Sequence, residues 1–251
     1  MKDKVVLIMG GTAGLGKIMA LKFHSLDSKV IITGRRENEG KQISSTPLLP
    51  GNPIHFIKCD VSNAVNVKQV LDEVIKKYGR LDVAINNAGI LGKSCKIVDC
   101  PEEDWDKIAN INLKGTFLCM KYEIEKMIPK GGVILNISSI SGINGYPYNS
   151  PYAATKHGVN GLTKSAALEF GDKNIRINSI CPGAILTEML EELFVSTGQP
   201  ELAKNNVIKH HPINRLSTPE EVADTCIWLC SPEASFINGA VIPVDGGWSS
   251  K

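Results

Sequence analysis

No stretch of this 251-residue sequence is long and apolar enough to cross a bilayer. The aliphatic run Val5 to Met9 stops at Gly10-Gly11, far short of the ~20 residues of a spanning helix. The same brevity argues against a secretory leader, although Lys2 and Lys4 imitate its charged start. A basic block is missing too. The 28 Lys plus Arg against 26 Asp plus Glu leave a formal +2, so neither nucleic acid nor a membrane is an expected partner. The seven cysteines (Cys59, Cys95, Cys100, Cys119, Cys181, Cys226, Cys230) form no CxxC pair. Their odd count, in a chain that needs no staples, predicts reduced thiols in a cytoplasmic protein. Cys226 and Cys230 lie one helical turn apart, but no His or Cys pair stands at zinc-finger spacing. They read as small core residues, with no metal site. Internal repeats, low-complexity tracts and interdomain linkers are likewise absent.

What is present is the composition of a packed globular domain, 43% hydrophobic and 22% charged. A chain of this length buries roughly three quarters of its unfolded surface around one core, which predicts a single domain over 1–251. The opening reads strand, glycine turn, helix, strand: Val5 to Met9, then Gly10-Gly11-Thr12-Ala13-Gly14-Leu15-Gly16, a helical stretch, and Val30-Ile31-Ile32. Further apolar runs follow at Ile54 to Ile57, Leu81 to Ile85, Val133 to Ile137, Ile175 to Ile180 and Val241 to Val244, separated by helix-length segments. This alternation predicts an α/β fold, a doubly wound (Rossmann) parallel sheet with helices on both faces. After Ser62, a candidate N-cap, Val67, Val70, Leu71, Val74, Ile75 and Tyr78 form a core-facing stripe that Gly79 ends. Between Pro182-Gly183 and the helix start at Thr218-Pro219, residues 184–215 carry no strand pattern and read as a substrate lid.

Gly10, Gly14 and Gly16 sit where glycine permits a sharp turn and lets a pyrophosphate reach free N–H groups at a helix start. Their spacing is not the widespread Gly-x-Gly-x2-Gly. The strand-to-helix context favours dinucleotide binding over a purely structural turn. At the end of the second strand the chain reads Thr33-Gly34-Arg35-Arg36, with no carboxylate before Glu37. A carboxylate there suits a ribose 2′-hydroxyl, and cations suit a 2′-phosphate, so Arg35 and Arg36 favour NADP over NAD. The alternative is that both arginines point into water, and Ala13 adds no cation.

Tyr152 and Lys156 stand four apart, on one face of a helix. Phenol's ordinary pKa of ~10 is high for a base at neutral pH, and a nearby ammonium favours the phenolate. Lys156 is therefore expected to tune Tyr152 for proton transfer. A second copy, Tyr122 with Lys126, has Glu123 and Glu125 beside it and reads as a solvated, salt-bridged face. Context separates the two: thirteen residues before Tyr152 stands Ser139, just past a strand end, whereas thirteen before Tyr122 stands Ala109.

The chain resembles a short-chain dehydrogenase/reductase of the simple one-domain type over essentially its whole length. The resemblance rests on the glycine loop, Asp60-Val61, Asn86-Asn87-Ala88-Gly89, Asn112, Ser138-Ser139, Tyr152-x3-Lys156, Pro182-Gly183 with Thr187, and Asp245-Gly246-Gly247. It implies Tyr152 as general acid/base, Ser139 as donor to the substrate oxygen, Lys156 on the nicotinamide ribose, and Asn112 holding a water that links Lys156 to solvent. The cofactor-binding set it implies is Gly10, Thr12, Gly14, Leu15, Gly16, Arg35, Arg36, Asp60, Val61, Asn87, Ala88, Gly89, Tyr152, Lys156, Pro182, Gly183, Ile185 and Thr187. Within that set Asp60-Val61 would meet the adenine, Asn87 would support the sheet and Thr187 would face the carboxamide. A homotetramer on the helices after Asn110 and Pro151 is also implied. One departure is Met9, where the family usually has threonine; the lost hydrogen bond loosens the loop by up to ~1 kcal/mol.

The expected activity is interconversion of a secondary alcohol and a ketone with NADP, or NAD, on a small-molecule substrate. Two other classes stay open: an epimerase or dehydratase with internal redox, against which the chain length argues, and a non-catalytic NADP-binding sensor. In the lid, Ile185, Leu186, Met189, Leu190, Leu193 and Phe194 form a helical stripe opposite Glu188, Glu191 and Glu192 that caps an apolar substrate or simply packs. The segments 143–150 and 91–95 are expected to shape the same pocket. His210-His211 reads as an exposed loop rather than a ligand pair.

Overall fold

The computed structural model describes residues 1–45 and 52–250; residues 46–51 and Lys251, which the expected domain 1–251 includes, lie outside them. In chain order the main elements are β1 (Val5–Met9), α1 (Gly14–Ser25), β2 (Lys29–Gly34), α2 (Glu37–Ser44), β3 (His55–Lys58), α3 (Ala64–Tyr78) and β4 (Val83–Asn86). There follow α4 (Glu102–Ile108), α5 (Gly115–Met127), β5 (Gly132–Ile137), α6 (Ser150–Phe170) and β6 (Ile175–Pro182). The chain ends with α7 (Glu188–Ser196), α8 (Pro200–Ile208), α9 (Pro219–Cys230) and β7 (Val241–Val244).

The seven strands form one parallel sheet in the order β3-β2-β1-β4-β5-β6-β7. Because helices cover both faces, β1 is buried at all five positions and reads as a continuous apolar run. Its pleat divides it: Val5, Leu7 and Met9 join the core under α3, α5 and α6, while Val6 and Ile8 join the core under α1 and α9. Cys226 and Cys230 belong to that second core. The strand order reverses between β1 and β4, so the carboxyl ends of β1, β4, β5 and β6 open on one crevice. Among the described residues no helix is long and apolar enough to cross a membrane.

Several local expectations need correction. The cap of α3 is Asn63, not Ser62: Asn63 Oδ1 accepts from the amides of Val65 and Asn66, at 2.9 and 3.2 Å. Ser62 instead gives its backbone and hydroxyl donors to Asp60. Gly79 closes the helix in the left-handed region. The segment 184–215 forms α7, where the helical stripe was expected, and a further helix, α8, that the sequence did not mark. Ile185 and Leu186 precede α7 and pair with Ser217, so the apolar stripe starts later than its spacing predicts. Phe194 is its buried member, while Met189 is exposed. Glu123 is fully buried rather than on a solvated face; Lys126 pairs instead with Asp72 and Glu125.

Candidate active site

At the first strand end, Gly10 takes positive φ and Gly16 packs so tightly that a side chain there would run into the Gly10 carbonyl. Asn87, just past β4, donates from Nδ2 to that carbonyl at 2.7 Å, and its amide bonds to Met9 O at 3.0 Å. Asn87 therefore braces the glycine turn. Met9 does not leave its site empty of hydrogen bonding, because Thr33 Oγ1 donates to its sulfur at 3.3 Å. The N-cap of α1 is Ala13, which has no side-chain acceptor, and the first turn carries no carboxylate. Its N–H groups are thus left for an anion. A Cβ at Gly14, itself at positive φ, would have Thr187 as nearest neighbour at 3.6 Å, which sets Thr187 across the opening from the turn. Thr12 is buried against Gly34 at the β2 tip, and Leu15 is buried in the first turn. These residues fit a dinucleotide pyrophosphate.

Beyond β2, Arg35 and Arg36 are both exposed, and Arg36 lies 3.8 Å from Glu39. Glu37 bonds Lys41 at 2.7 Å and Lys58 at 3.5 Å, and Lys41 chiefly holds its carboxyl below the usual range. The first carboxylate after the strand is therefore engaged elsewhere. At the end of β3, burial opposes ionisation of Asp60, but the Ser62 bonds and the Arg35 charge outweigh it and hold the carboxyl low. Val61 is buried beside it.

The other half of the crevice gathers the proton-transfer candidates. Ser139, past β5, accepts from the Ser141 amide at 3.1 Å. Tyr152 and Lys156 lie on α6, with Lys156 Nζ 5.6 Å from the Tyr152 ring centre. Asn112 lies in a wider π-helical turn, Ala109–Lys114, that joins α4 to α5. It is fully buried. Its side chain clips Ile90 from both sides: Nδ2 donates to Ile90 O at 2.8 Å, and Oδ1 accepts from Ile90 N at 2.9 Å. Gly89 keeps the adjoining space open, since a Cβ there would come within 3.3 Å of Asn112 Oδ1 and 3.7 Å of Lys156 Nζ.

The electrostatics differ from the expectation that Lys156 lowers the Tyr152 pKa. Burial pushes the Tyr152 hydroxyl above its ordinary value, and the group that draws it down is Ser139, through a side-chain hydrogen bond. Lys156 Nζ is buried, donates to Ile137 O at 2.7 Å, and is itself pulled down to about 8. The ammonium lies over the Tyr152 ring but gives its hydrogen bond to a carbonyl, and it is not among the groups that shift the phenol.

Thr155, Cys181 and His211 have no site role in the sequence reading, and they help to build this geometry together with motif residues. Ser138 Oγ donates to Lys156 O at 3.0 Å, and Thr155 Oγ1 accepts from Asn112 Nδ2 at 3.4 Å. Cys181 is buried behind Tyr152 and Lys156, where burial pushes its thiol up. Pro182 ends β6, and the Gly183 amide bonds Val244 O at 3.0 Å. His211 is buried rather than in an exposed loop: Ala184 N donates to its Nε2 at 3.1 Å. His210, beside it, is exposed and stacks on Trp248 at 4.7 Å. The signal for Ser138 was its place at a strand end; for His211 only the fold supplies one.

The chain is similar to known proteins over nearly its whole length. A family model described as enoyl-(acyl carrier protein) reductase matches residues 10–249. The chain is 39% identical to a 3-oxoacyl-(acyl-carrier-protein) reductase of Thermotoga maritima, with 98% of each chain covered. It is 35% identical to a 3beta-hydroxysteroid dehydrogenase of Mediterraneibacter gnavus, covering 99% of this chain and 95% of that protein. A solved structure of ElxO with NADP bound is 40% identical and superposes with a TM-score of 0.91, both chains being fully covered.

Proposed function

The chain belongs to the short-chain dehydrogenase/reductase family, and from that premise we propose that it interconverts a secondary alcohol and a ketone with NADP(H), using Tyr152 as the proton-transfer group. The observation that carries this reading is the convergence of Ser139, Tyr152 and Lys156, with Lys156 next to Gly89, in the crevice that also holds an uncapped helix start. When bound, the nicotinamide supplies or accepts the hydride. Ser139 and Tyr152 hold the reacting oxygen, and Tyr152 gives it a proton in the reductive direction. Burial holds the Tyr152 phenol above its usual range, so in the cofactor-free fold the group carries the proton it would give. Lys156 would bond the nicotinamide ribose, and Asn112 would hold a water that links Lys156 to solvent.

NADP is favoured over NAD because Arg35 and Arg36 are exposed at the β2 tip while Glu37 is bound to two lysines. The remaining residues of the proposed cofactor set line the same path, from the glycine turn through Asp60 and Asn87-Ala88-Gly89 to Pro182-Gly183, Ile185 and Thr187. Residues 184–215 form the substrate lid. A homotetramer is supported by Phe117 on α5 and Leu168 on α6, which are 48% and 88% exposed. Seven free thiols, five of them buried, support a cytoplasmic setting.

The test is an absorbance screen of NADPH and NADH oxidation against ketones, quinones, keto-sugars and steroids, for the protein and for Arg35→Ala. Turnover with NADPH, lost far more than NADH turnover in the variant, is the expected result. NADPH binding without turnover across the panel would leave the sensor reading instead. Equal loss for both cofactors would overturn the NADP assignment.

A further inference from the structure

His211 lies outside the proton-transfer set, yet it is 4% exposed and uses both ring nitrogens. Nδ1 faces the Val207 carbonyl at 3.1 Å, and a carbonyl only accepts, so Nδ1 carries the proton. Nε2 then has a lone pair, and the Ala184 amide donates to it at 3.1 Å. The ring, three residues past the end of α8, therefore joins the far end of the 184–211 segment to its first residue. Ala184 is fixed on its other side as well, since its carbonyl accepts from Ser217 N at 3.1 Å. The fit is close: a Cβ at Gly183 would lie 2.7 Å from Nε2, and the Trp248 ring packs edge-on at 4.8 Å.

We propose that His211 is a positioning residue, a clamp whose neutral ring closes the segment 184–211 on itself and whose protonation opens it. A second proton on Nε2 would set one N–H against another at Ala184 and remove the only lone pair that the amide meets there. Release of the Ala184 amide loosens the segment after β6 that carries Ile185 and Thr187, and Thr187 faces Gly14 over the nucleotide turn. This consequence rests on the oxidoreductase reading; the clamp itself does not.

The groups that face the ring set the direction. Burial holds His211 below the ordinary histidine range, and the neighbouring His210 adds to that. The Val207 and Ile208 backbone bonds and the Asp245 carboxylate of the C-terminal turn oppose it. Asp245 is already engaged with the amides of Gly247, at 3.0 Å, and Ser249, at 2.8 Å. The clamp is closed at neutral pH and opens on acidification.

Amide hydrogen exchange at Ala184, measured on the whole cofactor-free protein at about pH 8 and about pH 5.5 and corrected for the intrinsic rate, tests this directly. The expected result is at least about a tenfold loss of protection at the lower pH in the wild type. His211→Gln, whose amide oxygen accepts at the Nε2 position without titrating, should stay protected at both. His211→Leu should be unprotected at both. A wild-type amide with pH-independent protection, or a His211→Gln protein with the wild-type pH dependence, would overturn the clamp. A pH-dependent amide in a protein that turns over no NADPH would instead count against the oxidoreductase reading alone.

Discussion

At the scale of single residues, the most consequential departure from expectation is Glu123. In sequence it stands beside Tyr122 and Glu125 and looks solvated; in the fold it is fully buried, and burial pushes its carboxyl up to about 8. Asn86 Nδ2 donates to its Oε2 at 3.0 Å, while Glu123 Oε1 and Asn86 Oδ1 have no hydrogen-bond partner. A neutral acid resolves this, because it carries a hydroxyl donor for an unpaired carbonyl, whereas a carboxylate has none. The folded chain then keeps a proton that the unfolded chain loses near 4.5. This contribution to stability is whole below about pH 4.5 and is lost as pH rises toward about 8, by on the order of 5 kcal/mol. Denaturant unfolding of the wild type and Glu123→Gln across that window should show the difference in slope; parallel curves would mean that Glu123 is ionised in the fold.

At the scale of elements, legibility followed periodicity. The strands were readable because a parallel sheet covered on both faces makes each strand a short apolar run, and β7 has the bounds that its sequence predicts. Caps and irregular turns were less so. Ser62 and Asn63 are both good capping residues, and only the backbone decides which one faces the open amides. The π-helical turn around Asn112 leaves no mark on the hydrophobic period, so Asn112 could be named from a motif but its grip on Ile90 could not. Of the two short lid helices, α7 carried a legible stripe, whereas α8 escaped because it buries no residue. Asn63→Ala should destabilise the protein by about 1 kcal/mol, read as a lowered melting temperature, with Ser62→Ala costing less. Equal losses would mean that the Asp60-Ser62 contacts matter as much as the cap.

At the scale of the whole molecule, the parallel order β3-β2-β1-β4-β5-β6-β7 explains why residues far apart in sequence meet. Gly10, Asn87, Ser139 and Gly183 follow the carboxyl ends of β1, β4, β5 and β6, and α6 brings Tyr152 and Lys156 to the same crevice. Motif order in the sequence carried that much. It did not carry the electrostatic state, in which burial raises the phenol and lowers the ammonium that was expected to tune it. A pairing rule based on spacing has no account of desolvation, which depends on what the other elements bring over the pair. The most direct test of the account is carbonyl-dependent NADPH oxidation by Tyr152→Phe, with NADPH binding followed by fluorescence on the same sample. The account predicts turnover reduced by about 10²–10⁴-fold with binding nearly unchanged; turnover equal to the wild type would contradict it.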